Sequence, residues 1–194
     1  MARTKEFDPE AALRAALELF WRRGYEATSM SDLVEHLGVG RASIYATFGN
    51  KHDLYMKALE SYDRAGLTPM VRELSQPGPA LPPVRALVRR YAAEAADEQL
   101  RSLGCLVTNA AAELAPHDTA ATRLVERNWD QLEAVLRSAL VRAQAQGELP
   151  ADRDPLTLAR MLLVLMQGLR VVGRASGDPA RVRDAAEQAL ALLD

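Results

Sequence analysis

Apolar residues recur at spacings of three and four along almost the whole chain, and period-two alternation is nearly absent. That pattern predicts amphipathic helices and no strands, hence an all-α protein. Helix boundaries are marked as well. Asp8-Pro9 sets an acceptor cap before a proline at the first helical position, and Leu13, Ala16, Leu17, Phe20 and Trp21 follow as one stripe up to Gly24. A short helix should follow Thr28-Ser29, turn Met30, Leu33, Val34 and Leu37 inward, and stop at Gly38. Another runs through Arg41 to Thr47. Asn50 can cap a fourth, carrying Leu54, Tyr55, Ala58, Leu59 and Tyr62. The Pro-rich piece from Pro77 to Pro83 reads as a loop.

Beyond that piece the helices lengthen. One carries Val84, Leu87, Val88, Tyr91 and Ala95, and another covers Leu103 to Leu114. A long one begins near Asp118 and ends before Gly147, with Val125, Trp129, Leu132, Leu136, Ala139 and Ala143 on one face. Asp154-Pro155 and Asp178-Pro179 open the last two with the same cap-plus-proline signal. The pattern thus predicts an N-terminal three-helix head over residues 1–50 and a larger helical domain over 51–194.

Composition narrows the function classes. A chain of 194 residues buries roughly 70% of its unfolded surface without staples. One cysteine, Cys105, excludes an internal disulfide and a thiolate zinc cluster. No metal-ligand spacing and no acid–base pair stands out, so neither a metal nor another cofactor is expected. The start lacks the apolar core of a secretory signal. The most apolar run, Leu156 to Val172, is broken by Arg160, Gln167 and Arg170, which suits a buried helix better than a membrane span. A cytoplasmic protein is the expectation. The net charge of −2 announces no polyanion binder, so contact with nucleic acid would need a local basic face. Arg3 and Lys5 in the N-terminal tail could add to one.

Such a face is present. Two short helices joined by Gly38-Val39-Gly40 fit a helix-turn-helix, whose second helix enters the DNA major groove. Ile44 and Phe48, four apart, face the small core with Val39. Arg41 and Tyr45, also four apart, share the opposite face with Ala42. Arginine pairs bidentately with guanine, and Ser43, Tyr45, Thr47 and Lys51 can donate to phosphates. The same residues would also suit a helical corner of an enzyme.

The run Thr28-Ser29-Met30, Leu33, Leu37-Gly38-Val39-Gly40-Arg41-Ala42-Ser43-Ile44-Tyr45, Phe48, Lys51 and Leu54 closely resembles the DNA-binding domain of TetR-family transcriptional repressors. The helix layout after it resembles that family's effector domain. The resemblance implies DNA contacts from Thr28, Arg41, Ala42, Ser43, Tyr45, Thr47 and Lys51. It departs at Gly40, where the family usually has serine, and around Ala46 and Thr47, where it often has a basic residue or histidine.

In the second domain, Cys105, Asn109 and Glu113 lie four apart and share a stripe facing either water or a cavity. The Gly-Cys-Leu, Asn, Glu order resembles one branch of TetR-type effector domains, some of whose members sense electrophiles or oxidants. A reactive thiolate needs a positive neighbour, here Arg101, His117 or Arg170. A cavity for a small apolar or weakly polar effector, without covalent chemistry, fits the same residues. The last two helices are apolar nearly all round, so one face should meet a second chain. By resemblance Leu162, Leu165, Met166, Leu169, Ala186 and Leu190 would form a homodimer interface. The function expected is a homodimeric, effector-responsive repressor of a palindromic DNA operator. A thiol enzyme using Cys105 and a ligand-independent DNA binder are the rivals.

Overall fold

The computed structural model describes residues 7–194, so the contacts expected of Arg3 and Lys5 lie outside the described residues. Among the described residues the chain is all-α: α1 (Pro9–Arg23), α2 (Met30–Leu37), α3 (Arg41–Phe48), α4 (Lys51–Leu74), α5 (Leu81–Ala96), α6 (Glu98–Arg101), α7 (Leu106–Glu113), α8 (Thr119–Ala145), α9 (Pro155–Ala175) and α10 (Ala180–Ala191), with a 3-10 turn at Ala115–His117. The caps are those the sequence marks. Asp8 accepts from the Glu10 amide, Asp118 from Ala121, and Asp154 from Leu156 and Thr157. Ser29 with Asp32, and Asn50 with Asp53, close reciprocal capping boxes at α2 and α4, each supplying two otherwise unpaired amides with acceptors.

Three boundaries differ from the pattern. The Pro-rich piece is loop only as far as Ala80. Helix α5 starts at Leu81 and takes Pro82 and Pro83 into its first turn, where a missing N–H costs nothing. The amides of Ala80 and Leu81 are satisfied from the α8–α9 connection, by Gln146 Oε1 and the Glu148 carboxylate. Helix α7 starts at Leu106 rather than Leu103, because Gly104 sits at φ +63°, a left-handed conformation that ends the preceding turn. The four-residue α6 in that stretch has no apolar period to announce it. Last, α10 begins one residue after Pro179.

Two apolar cores organise these helices. The first joins α1–α3 and the first half of α4 to α7 and the start of α8, through residues such as Phe20, Leu33, Ile44, Tyr55, Leu59, Val107, Leu114 and Val125. The head therefore does not close its own core within residues 1–50: Leu54, Tyr55, Ala58 and Leu59 are fully buried in it. The second core packs the end of α4 with α5, α8, α9 and α10 around Leu87, Leu136, Leu140, Leu162 and Met166. Helix α9 is long and apolar enough to span a membrane by length and composition. In the fold one of its faces rests on α5, α8 and α10 and another is left uncovered, with Val164 70% exposed. Its Gly173 lies so close to α5 that a Cβ there would overlap the Ala95 carbonyl.

Candidate functional site

Helix α3 is carried by its apolar anchors. Ile44 and Phe48 are buried against the head core with Val39, which leaves Arg41, Ala42, Tyr45 and Thr47 exposed and Ser43 half-buried. Tyr45 is 46% exposed, a large apolar body held in water with no covering group. Arg41 donates to Ser31 Oγ at 3.1 Å, so its guanidinium lies along α2. Gly40 caps α3 with no side-chain hydrogen bond. The exposed face has no carboxylate.

Thr28 and Lys51 take a different part from the one expected. Thr28 is fully buried and donates through Oγ1 to the Gly24 carbonyl at 2.7 Å. Lys51 Nζ donates to the carbonyls of Tyr25 and Thr28, both at 2.9 Å, and lies 4.0 Å from the centre of the Tyr25 ring. Both residues hold the turn between α1 and α2 from the inside. An ammonium locked between two carbonyls and an aromatic face is committed to the fold.

The expected stripe on α7 divides likewise. Cys105 is the half-buried N-cap of the helix, not a residue of its first turn. Asn109 stands one turn on, donating to the Leu103 carbonyl at 3.1 Å and accepting from Arg174 at 2.9 Å. These two, with Thr108, Arg170, Val171 and Arg174, line a cavity of about 420 Å³ between α7 and α9. Glu113 turns away from it. Its carboxylate accepts from the backbone amides of Tyr25 at 3.1 Å and Glu26 at 3.0 Å, so it clasps the same α1–α2 turn from the other side. Gly24, at φ +86°, leaves room for it: a Cβ there would come within 2.9 Å of Glu113 Oε1. At the opposite end of α7, Trp21 Nε1 donates to the Gly104 carbonyl at 3.2 Å. Helix α7 is thus bonded to the region of α1 at both ends.

Of the cations considered for the thiol, Arg170 is the neighbour. Its guanidinium stacks 4.3 Å over Tyr91 and pairs with Glu94 at 3.4 Å. Burial works against its charge, but Cys105, Tyr91, Tyr62 and Glu94 outweigh burial and raise its pKa. The Tyr62 phenol, against Cys105, is pushed up by burial first and by the thiol second, so it stays protonated. Arg101 is bonded to the Ser176 carbonyl, and His117 is exposed on the 3-10 turn. The periodicity did not single out Arg174 or Thr108, and it placed Trp21 on the apolar stripe of α1 without its bond to Gly104. The i, i+4 spacing of Arg170 and Arg174 on α9 was the available signal.

The expected interface residues need a correction. Leu162, Met166, Leu169, Ala186 and Leu190 are buried within the single chain, because α9 and α10 turn that face onto α5, α8 and each other. Leu165 is half-buried at the rim. The uncovered apolar face is the opposite one, with Val164 70%, Val171 54% and Leu192 45% exposed.

Comparison with known proteins gives the family and the fold. Residues 12–58 match the family described as "Bacterial regulatory proteins, tetR family", and residues 80–189 match "Tetracyclin repressor-like, C-terminal domain". The HTH-type transcriptional regulator YezE of Bacillus subtilis (strain 168) is 36% identical over 195 residues, covering 100% of both chains. The HTH-type transcriptional repressor ComR of Escherichia coli (strain K12) is 32% identical over 89% of this chain and 82% of its own. Among solved structures, a cysteine mutant of the regulator CifR complexed with 26-base-pair double-strand operator DNA superposes with a TM-score of 0.84, at 28% identity over 100% of both chains.

The clasp is directly testable. Glu113→Ala removes the acceptor of two amides and should destabilise the protein by about 1–3 kcal/mol, with faster hydrogen exchange at Tyr25 and Glu26. Glu113→Gln, which keeps one acceptor oxygen, should fall between. Unchanged exchange at both amides in Glu113→Ala would show that the clasp does not hold the turn.

Proposed function

Because this chain belongs to the tetR family of bacterial transcriptional regulators, we propose that it is a cytoplasmic repressor that binds a palindromic DNA operator as a homodimer. A small molecule or electrophile entering the cavity beside Cys105 releases it. The observation that carries the DNA-binding reading is the exposed, carboxylate-free face of α3, with Arg41, Ala42, Ser43, Tyr45 and Thr47. Arg41 is the side chain suited to a guanine edge, while the hydroxyls suit phosphates. The operator complex of CifR, similar in fold over the whole chain, supports the same use of this face. Thr28 and Lys51 act from behind, by fixing the turn on which α2 and α3 are mounted.

The dimer face is the uncovered side of α9 and α10. Val164, Val172 and Leu192 are exposed large apolar residues of α9 and the end of α10, with Val171 between them and the cavity rim, a patch of the kind that marks an interface. The two copies of α3 would then face successive major grooves, about 34–36 Å apart. A coupling of about 1–3 kcal/mol between cavity and head changes operator occupancy by roughly 5–150-fold. Helix α7 is suited to carry it, since one end lines the cavity and the other clasps the head. We prefer a regulator to a thiol enzyme because the groups against Cys105 are a protonated phenol and a guanidinium, and neither serves as a general base.

Two substitutions test separate parts of this reading. Tyr45→Ala should weaken binding to a duplex selected from a random pool by about 1–3 kcal/mol without lowering Tm; undiminished affinity in a gel shift would remove α3 as the reading helix. Val164→Asp should give a monomer by sedimentation at micromolar concentration, and a persistent dimer would place the interface elsewhere.

A further inference from the structure

The cavity between α7 and α9 has an unusual charge balance. Arg170 and Arg174, one turn apart on α9, both line it together with the Cys105 thiol, and no carboxylate does. Arg101 lies just outside, in the adjoining pocket that it shares with Arg170 and Glu94. Three guanidiniums therefore surround the Gly104–Cys105 corner, and among the described residues the carboxylate that pairs with them is Glu94, on Arg170. The other two are held by neutral oxygens: Arg101 by the Ser176 carbonyl and Arg174 by Asn109 Oδ1. Neutral acceptors fix a guanidinium in place and leave its charge uncompensated. Arg174 is itself exposed, and a Cβ at Gly104 would lie 3.4 Å from its Cδ, so the glycine leaves the arginine stem room beside the thiol corner. The remaining lining, Thr108, Ala112, Val171 and Ala175, is small. Such a site has room for a compact ligand and a surplus of positive charge for it to meet.

We propose that the effector is a small carboxylate-bearing molecule, bound with its carboxylate between Arg170 and Arg174 and its body against Cys105. This rests on the reading of the cavity as the effector site and narrows it to anions. Arginine suits the role because its planar fork matches a carboxylate in two hydrogen bonds, and Arg174 can exchange Asn109 for the ligand without leaving a buried charge unpaired. The body of the ligand then sits over the chain's single thiol.

Two alkylating probes of equal size separate charge from shape. In each, the Cys105 sulfur displaces iodide from the CH₂ carbon: a C–S bond forms, the C–I bond breaks with its electron pair leaving on iodide, and the thiol proton passes to buffer. Iodoacetate carries a carboxylate where iodoacetamide carries a neutral amide. The iodoacetate-to-iodoacetamide rate ratio at Cys105 should exceed that of N-acetylcysteine in the same buffer by about fivefold or more, the factor one close charge pair contributes even in an aqueous dielectric. Arg174→Gln keeps a donor for Asn109 but loses the charge, and should bring the ratio back toward that of the free thiol. Arg174→Lys should keep part of the preference. A ratio at or below that of N-acetylcysteine, or a ratio unmoved by Arg174→Gln, overturns the inference. If neither reagent modifies Cys105, thermal unfolding with benzoate against benzamide decides. Stabilisation by benzoate alone, lost in Arg174→Gln, supports an anion site; equal shifts or none overturn it. Failure of the broader reading looks different: an alkylated protein that holds a selected duplex as tightly as before would show that the cavity does not govern the head, whatever its charge preference.

Discussion

The turn between α1 and α2 has to be held open for α2 and α3 to stand where they do, and a turn of backbone has no side-chain core of its own. Its polar groups are satisfied from two sides. From α4, Lys51 places one ammonium between the carbonyls of Tyr25 and Thr28. From α7, Glu113 places one carboxylate on the amides of Tyr25 and Glu26. A cation on the carbonyls and an anion on the amides is the arrangement that each charge favours, and both bonds are charge-assisted. Phe20 and Tyr25 each pack edge-on against Tyr55 beside the same turn. The orientation of the head thus depends on two long-range ionic side chains as much as on its own helices.

That constraint explains why the head core runs past residue 50 and takes in α7. Helix α7 is only eight residues long, yet its start borders the cavity and its end holds the turn. A displacement at Asn109 has about one turn of helix to cross before it reaches Glu113, and one at Cys105 about two. Helix α9 supplies the other wall. Arg170 and Arg174 face the cavity, Leu162, Met166 and Leu169 fill the core, and Val164 with Val171 is left uncovered. In the proposed function, ligand, core and partner chain therefore meet on one helix, so a ligand against α9 bears on the relation between the two subunits as well as on α7.

Much of this was written in local sequence. Caps at Asp8, Ser29, Asn50, Asp118 and Asp154, and stripes at helical spacing, fixed nearly every element, because each depends on residues within a turn or two. The resemblance around Gly38 to Lys51 pointed to the family's N-terminal domain, and so to α3 as the proposed recognition helix. What local reading could not supply was direction at long range. Lys51 read as an outward donor, yet turns inward because the carbonyls it satisfies belong to a turn more than twenty residues earlier, and Thr28, expected at the DNA by resemblance, is buried with its hydroxyl on the Gly24 carbonyl. Glu113 read as facing water or a cavity, since its partner amides lie 88 and 87 positions earlier. On α9 apolar residues run nearly all round the helix, so periodicity alone left open which side meets the core, and residues expected at the interface, Leu162, Met166 and Leu169, are buried within the chain.

The central claim is that α7 transmits events at the cavity to the head. It is tested most directly by following amide hydrogen exchange across the whole chain before and after Cys105 is alkylated with iodoacetamide. Transmission through α7 predicts altered exchange in Leu106–Glu113, at Tyr25 and Glu26, and on into α3. Changes confined to the cavity wall, with Tyr25, Glu26 and α3 exchanging as before, would contradict it.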